Sequence, residues 1–539
     1  MRGSTNGRLH TSLAALGVAA TLASATAGAG DTPLVLYVDK TAPAGGDGTT
    51  WQKAFNDLQT AIQSVERNYS IDRSHIEYRV AQGTYTPDQG TKNRNMRFSM
   101  DGVGSAMTLS LIGSFAGLQG ANPDKQDYVS TRTILSGDIN GDDGPNFTNR
   151  ADNSFSIAIL SARSSITIDG ITVRGADSTG GGYYYAIQAL ATDYFNGPPT
   201  TTLTVSNSDF EDNRSPNGSA GGLTAMGDLV YISRCRFRGN VSIGGGSGGL
   251  ITLTTDPMSL VEDCLFESNS CTGYGGGMKS EGPSRVERCI FVNNSAGTGG
   301  GLAGTFAVRA SLFVRNTAKS YGGAINGDHN CLIRSCTIAN NTSKYGAIDI
   351  SDGTIVSSSI IWGNTMTGAA QALWVSNGLA TSTVDHCTIQ NGAAGIFTSG
   401  LPTVVGAGIK STDPRFIRPA LPADPAAGWQ SWNYRLKAGS PAIGAGGDLV
   451  DFDLDGNLYS PSLGPPDAGA YFITSTVCAG NLSHTDSVVN DDDFVIFLRA
   501  YRLMVSPPAD PAADLNHDGL VNDADFSIFA AAYDRLICP

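Results

Sequence analysis

Several things are scarce in this 539-residue chain, and each scarcity removes a class of protein. Charged residues are only 16% of the total, and the basic ones are the minority, 35 Lys and Arg against 49 Asp and Glu, for a net charge of −14. That balance excludes nucleic acid and an anionic membrane surface as natural partners, and it disfavours tight binding of a polyanion unless calcium intervenes. Past the first 30 residues no apolar stretch approaches the length of a membrane-spanning helix. Nine cysteines are present, an odd number, with no Cys-x-x-Cys pair and no metal-type histidine spacing, so a zinc site is not indicated. The middle of the chain has no run with a 3.6-residue apolar period, which excludes helical repeats.

What is there is a recurring phrase. An aliphatic residue begins it, a small residue and an apolar one follow, and Asn stands three places on. It occurs as Val205, Ser208, Phe210 and Asn213; Ile232, Cys235, Phe237 and Asn240; Val261, Cys264, Phe266 and Asn269; and Val286, Cys289, Phe291 and Asn294. It continues as Val308, Ser311, Phe313 and Asn316; Ile333, Cys336, Ile338 and Asn341; and Val356, Ser359, Ile361 and Asn364, with looser copies from Ile168 and Val384. A period of roughly 20–30 residues signals a solenoid. The β-branched, Ser-, Thr- and Gly-rich units call for strands, so each unit is one coil of an all-β solenoid with like side chains stacked coil upon coil at the ordinary strand spacing of about 4.8 Å. Aliphatic and Phe columns fill the bore. The Asn column suits the bend after the strand, because Asn tolerates left-handed backbone and its amides bond between coils. Cys235, Cys264, Cys289, Cys336 and Cys387 share one position with Ser208, Ser311 and Ser359, which predicts a small, weakly polar column of thiols without disulfides.

A second phrase lies between the strands: Gly221-Gly222-Leu223, Gly248-Gly249-Leu250, Gly276-Gly277-Met278, Gly300-Gly301-Leu302, Gly322-Gly323-Ala324-Ile325 and Gly346-Ala347-Ile348. No strand–loop–helix context accompanies these glycines, so they read as corner geometry and close backbone approach, not as a phosphate loop. Together the two phrases resemble the Gly-Gly-Ala-Ile and Phe-x-x-Asn repeats of polymorphic outer-membrane proteins, and more broadly the right-handed parallel β-helices of the pectate-lyase type. The resemblance implies that fold. It leaves the chemistry open, because lyases, hydrolases and adhesins share it.

Five segments follow. Residues 1–30 read as a secretory signal, with Arg2 and Arg8, an apolar stretch over 13–22 and small residues at Ala25, Ala27 and Ala29; this implies a secreted or cell-surface protein in an oxidising space. Residues 31–165 form an amino-terminal cap and irregular first coils, with a strand over 34–38, a helix over 51–65 carrying Phe55, Leu58, Ile62 and Val65, and a strand over 76–80. Residues 166–395 are the regular coils. Residues 396–475, with Asp413-Pro-Arg-Phe416 and Asp467-Ala-Gly-Ala-Tyr471, resemble the choice-of-anchor segments that close such β-helices. Residues 476–539 hold two loop–helix units, in which Phe494, Phe497 and Tyr501 repeat as Phe526, Phe529 and Tyr533, and a disulfide between Cys478 and Cys538 would bracket them.

The strongest chemical signal is the loop from Asp514. Asp514, Asn516, Asp518, Leu520 (through its carbonyl), Asn522 and Asp525 fall at positions 1, 3, 5, 7, 9 and 12 of an EF-hand calcium loop, with Gly519 at 6. Asp at position 12 and the doubled unit resemble a dockerin, which implies calcium as cofactor and a cohesin-like receptor. Asp491-Asp492 and Asp523-Ala524 stand where cellulosomal dockerins carry Ser-Thr, so a different receptor or a calcium-stiffened anchor is the alternative. The first unit keeps Asp486, Asn490 and Asp493 in register but lacks the Gly. Two further acidic runs, 138–144 and 451–456, read as solvated turns. For catalysis the local candidates are Asp328, His329 and Arg334 with Asp349 and Asp352 one coil on; the sequence has no full match to the motif set of polygalacturonases. The expected function is therefore a structural or adhesive protein whose β face meets a polysaccharide or cell-surface glycan. The alternative is a polysaccharide lyase or glycoside hydrolase acting on that face.

Overall fold

The stacking of like residues is the architecture. The computed structural model describes residues 33–472 except 68–73, 101–107, 182–184, 192–200, 216–219, 257, 352, 369–371, 377–379, 399–402, 422–423, 425, 438, 448–451 and 460–464, together with 482, 491–503, 513–515 and 520–535. A full coil has four short strands, as in Leu223–Met226, Leu229–Ser233, Arg236–Arg238 and Val241–Ser242. Each pairs in parallel with its counterpart in the next coil, which builds four walls around a bore. The first two walls merge where Met278–Glu287 and Leu302–Arg309 run through the corner as single strands. The chain is a parallel β-helix.

The register is the one the repeat demands. On the second wall Ile168, Val205, Ile232, Val261, Val286, Val308, Ile333, Val356 and Val384 lie in one column. On the third, Phe210, Phe237, Phe266, Phe291 and Phe313 stack with ring centroids 4.6–4.9 Å apart and planes within 9°. Both columns are buried in the bore.

The Asn column is buried and closed upon itself. Asn294 Nδ2 donates to Asn316 Oδ1 at 2.9 Å and to Phe266 O at 2.8 Å, while its own Oδ1 accepts the Nδ2 and backbone N–H of Asn269, both at 3.0 Å. The same links run from Asn213 to Asn364 at 2.9–3.0 Å between amides. These amides need no water, the condition for burying them at low cost. One expectation is corrected here: the column residues do not take left-handed backbone. The residue before each one does, Asp212, Gly239, Ser268, Asn293, Arg315, Asn340 and Gly363, with φ of 53–68°. Asn is required for its amide.

The Cys and Ser column repeats one bond within each coil, to the carbonyl two residues earlier. Cys289 Sγ donates to Glu287 O at 3.2 Å, and Ser311 Oγ donates to Arg309 O at 2.7 Å. These thiols are buried and form no disulfide. The glycine pairs give close approach: a Cβ on Gly300 would meet Gly323 O at 2.2 Å.

At the amino end, segment 48–55 covers the outer edge of Leu34–Val38, with Tyr37 N donating to Gly48 O and Phe55 N to Tyr37 O, both 2.9 Å. The expected helix over 51–65 is divided, because Phe55 is drawn into a bridge with Val38. A short 3-10 turn, Trp51–Lys53, precedes an α-helix, Leu58–Arg67, whose Leu58, Ala61, Ile62 and Val65 pack on the core. At the other end the segment expected to close the tube first adds a further layer, Ile396–Thr398 and Thr403–Val405, and from Phe416 on lies along the flank. Phe416, Tyr434, Leu436, Ala442, Ala470 and Tyr471 pack on outward residues of the third wall, Leu312, Val314, Ala339 and Ile360. Polar ties fix it: Trp429 Nε1 donates to Glu267 Oε1 at 3.0 Å, Tyr434 Oη to Asn340 Oδ1 at 2.6 Å, and Ala470 N to Thr337 Oγ1 at 3.0 Å. Two helices, Asp491–Leu503 and Asp523–Arg535, occupy the last segment and pack Phe497 on Phe529 with centroids 4.7 Å apart. The signal at 1–30, Cys478 and Cys538 lie outside the described residues.

Asn294→Ala removes two acceptor bonds and two donor bonds inside the wall, and is expected to cost about 3 kcal/mol because buried partners are orphaned. Cys289→Ser keeps the donation to Glu287 O and is expected to cost under about 1 kcal/mol. Denaturant unfolding of the two variants beside the wild type checks the difference.

Candidate functional site

Side chains alternate along a strand, so every column in the bore has outward neighbours. On the first wall the outward column opposite Ile325, Ile348, Leu373 and Ile396 reads Asn326, Asp349, Trp374 and Phe397. Trp374 and Phe397 stack with centroids 3.8 Å apart. At the corner before this wall a second column carries Tyr274, Thr298, Tyr321 and Tyr345, each just ahead of a glycine. Tyr321 and Tyr345 stack at 5.0 Å, and Tyr345 lies 5.3 Å from Trp374, so the two columns meet.

Asp349 stands in the first of these columns, between Asn326 and Trp374. It is 7% exposed. Asn326 Nδ2 donates to its Oδ2 at 2.7 Å, and its buried Oδ1 has no hydrogen-bond partner. Burial pushes the carboxyl up to about 6, with the Asn326 bond pulling the other way and no charged neighbour contributing. The result is a buried carboxyl without a counter-charge, one coil from Trp374.

The other predicted catalytic residues do not join it. Asp328 and His329 are exposed in the turn between Ile325–Gly327 and Leu332–Arg334. Arg334 ends the latter strand on the second wall, in register with Arg309 and Ser357. Asp352 lies outside the described residues. Of the four that are described, Asp349 is the buried one. Sequence reasoning missed the column of rings at the corner, although Tyr274-Gly275, Tyr321-Gly322 and Tyr345-Gly346 repeat visibly.

Among the acidic runs, Asp138, Asp142 and Asp152 bring carboxylate oxygens within 4.8 Å of one another. Asp138 also accepts the N–H groups of Gly141, Asp142 and Asp143, and Asp152 that of Asn140, which is how acidic turns satisfy themselves. Asp453 accepts from Asn457 and from Phe472 N, and Asp455 pairs with Arg435. In the last segment Asp514, Leu520, Asn522, Asp525 and Asp493 are described; Asp486, Asn490, Asn516 and Asp518 are outside the described residues. Asp514, Asp525 and Asp493 are buried, and Leu520 is exposed. Asn522 and Asp525 form a capping box on the helix Asp523–Arg535: Ala524 N donates to Asn522 Oδ1 at 2.8 Å and Asn522 N to Asp525 Oδ2 at 2.9 Å.

No protein-family profile matches this chain, and no curated protein does. Among solved structures, the crystal structure of pectate lyase Pel9A is similar, with a TM-score of 0.41 and 14% identity, over 83% of this chain and 97% of that one. At that level the β-helical architecture rests on the strand register itself.

A carboxyl raised by burial favours folding while protonated. Its contribution is whole below pH 3.8 and is lost as pH rises through about 6. In Asp349→Asn this loss disappears. The stability difference between variant and wild type is expected to shift in favour of the variant by up to about 3 kcal/mol between pH 3.5 and 7, on top of any constant offset from the amide. Urea unfolding across that range measures it.

Proposed function

We propose that this protein engages a polysaccharide on the outward surface where the column Asn326, Asp349, Trp374 and Phe397 meets the rings of Tyr321 and Tyr345. The observation that carries the reading is this one patch of aromatic rings arranged along the tube axis and joined to a hydrogen-bonding pair. Sugar-binding surfaces combine apolar area with a few placed polar groups in that way. The role is structural or adhesive, in an exported protein at the cell surface or beyond it. Hydrolysis of a glycosidic bond takes two facing carboxyl groups, and among the described residues of this column, which reads Thr224, Ile251, Lys279, Ala303, Asn326, Asp349, Trp374 and Phe397, Asp349 is the one carboxylate.

The carboxy-terminal helices serve as the attachment unit. Asp514 and Asp525, buried at the two ends of one acidic loop, support calcium there with Asn516, Asp518, Leu520 and Asn522, and a receptor of the cohesin kind is the partner this reading assigns.

Isothermal titration with soluble polysaccharides tests the first part. Trp374→Ala is expected to weaken binding at least tenfold, about 1.4 kcal/mol, and no new reducing ends or unsaturated products should form. Turnover that Asp349→Ala abolishes would replace adhesion with catalysis. For the second part, calcium added to the whole protein should give a saturable isotherm that Asp514→Ala with Asp525→Ala removes; an unchanged isotherm puts the ion elsewhere.

A further inference from the structure

The chemical class of the glycan follows from what Asp349 lacks. Its surroundings supply one hydrogen bond and no positive charge. A buried carboxylate without a counter-charge is costly unless something brings one. The rings beside it are suited to a cation, because an aromatic face attracts ammonium groups. The chain already uses the corner column in this manner: Lys344 Nζ lies 5.0 Å from the centroid of the Tyr345 ring, and Lys279 Nζ lies 5.8 Å from that of Tyr274. The net charge of −14 adds a long-range attraction for cationic polymers and a repulsion for polyuronates.

We infer that the ligand of this surface is a glycan bearing primary ammonium groups, an amino-sugar polymer, whose ammonium rests on the rings of Tyr345 and Trp374 with Asp349 as counter-charge. The inference rests on the reading of this surface as a glycan site and specifies its substrate class. A neutral sugar satisfies hydrogen bonds but leaves the charge of Asp349 unanswered. A uronate adds a second negative charge beside it.

Calorimetry at pH 7 with four probes tests this: a β-1,4-linked glucosamine oligomer, its fully N-acetylated counterpart of the same length, an oligogalacturonate, and oligolysine. The glucosamine oligomer should bind at least tenfold tighter than the N-acetylated one, and the oligogalacturonate should not bind. Asp349→Asn should bring the ratio to about one. Lys344→Gln, an exposed substitution that vacates the Tyr345 ring, should strengthen glucosamine binding several-fold, and no gain would overturn the placement of the ammonium. Equal or tighter binding of the N-acetylated oligomer, still sensitive to Trp374→Ala, would overturn the ammonium assignment while leaving the glycan site standing. Oligolysine binding as tight as the glucosamine oligomer would overturn it in favour of a cationic polypeptide. Failure of every glycan to bind would remove the site itself.

Discussion

One hydrogen bond, repeated, sets the geometry of this molecule: the side-chain amide of an Asn in one coil bonded to that of the next, at 2.9–3.0 Å from Asn213 to Asn364. An amide in this position has one spacing and one orientation that satisfy all its groups, and that spacing is also the one at which parallel strands pair. The bond therefore locks each coil in register with its neighbour even where coil length varies, from 22 residues between Asn294 and Asn316 to 29 between Asn240 and Asn269. Extra residues are pushed out into the corners, and the Phe and Val columns of the bore follow without adjustment.

Once the register is locked, the outward residues are stacked as strictly as the inward ones. A surface patch is then made by substitution alone, with no change in fold. Thr224, Ile251, Lys279, Ala303, Asn326, Asp349, Trp374 and Phe397 are successive occupants of one column. The change from aliphatic and basic to amide, carboxyl and aromatic occurs over four coils of it. Outward surface and scaffold are separable here in a way that a closed globular core does not permit.

The bore was legible in the sequence because its positions recur. Val205 to Val384, Phe210 to Ile361 and the Asn residues named their own partners, and each falls in the column assigned to it. The Gly-Gly corners were legible for the same reason. What was not legible depends on contacts between unlike residues. Asp349 is buried because it lies on a strand stacked between Asn326 and Trp374, while Asp328 is exposed in a turn, and no phrase of the repeat distinguishes the two. The left-handed residue of each bend was misplaced by one position, since Asn is the usual occupant of such backbone and here the amide had a stronger use. The flank contacts of Trp429 with Glu267 and of Tyr434 with Asn340 join residues 162 and 94 positions apart, and no periodicity announces them.

That flank segment alters how the tube comes apart. In a stack where each coil touches only its neighbours, loss of structure creeps inward from the ends one layer at a time. Residues 416–471 reach from the layer of Glu267 to that of Ile360, touching the layers of Leu312 and Thr337 on the way. They act as a splint laid across a broken-rod geometry, so that the layers beneath must yield together or not at all. Tyr321, Tyr345 and Asp349 belong to layers under that splint, whereas Trp374 and Phe397 follow in the next two layers, so the aromatic column begins on braced coils and runs out onto unbraced ones.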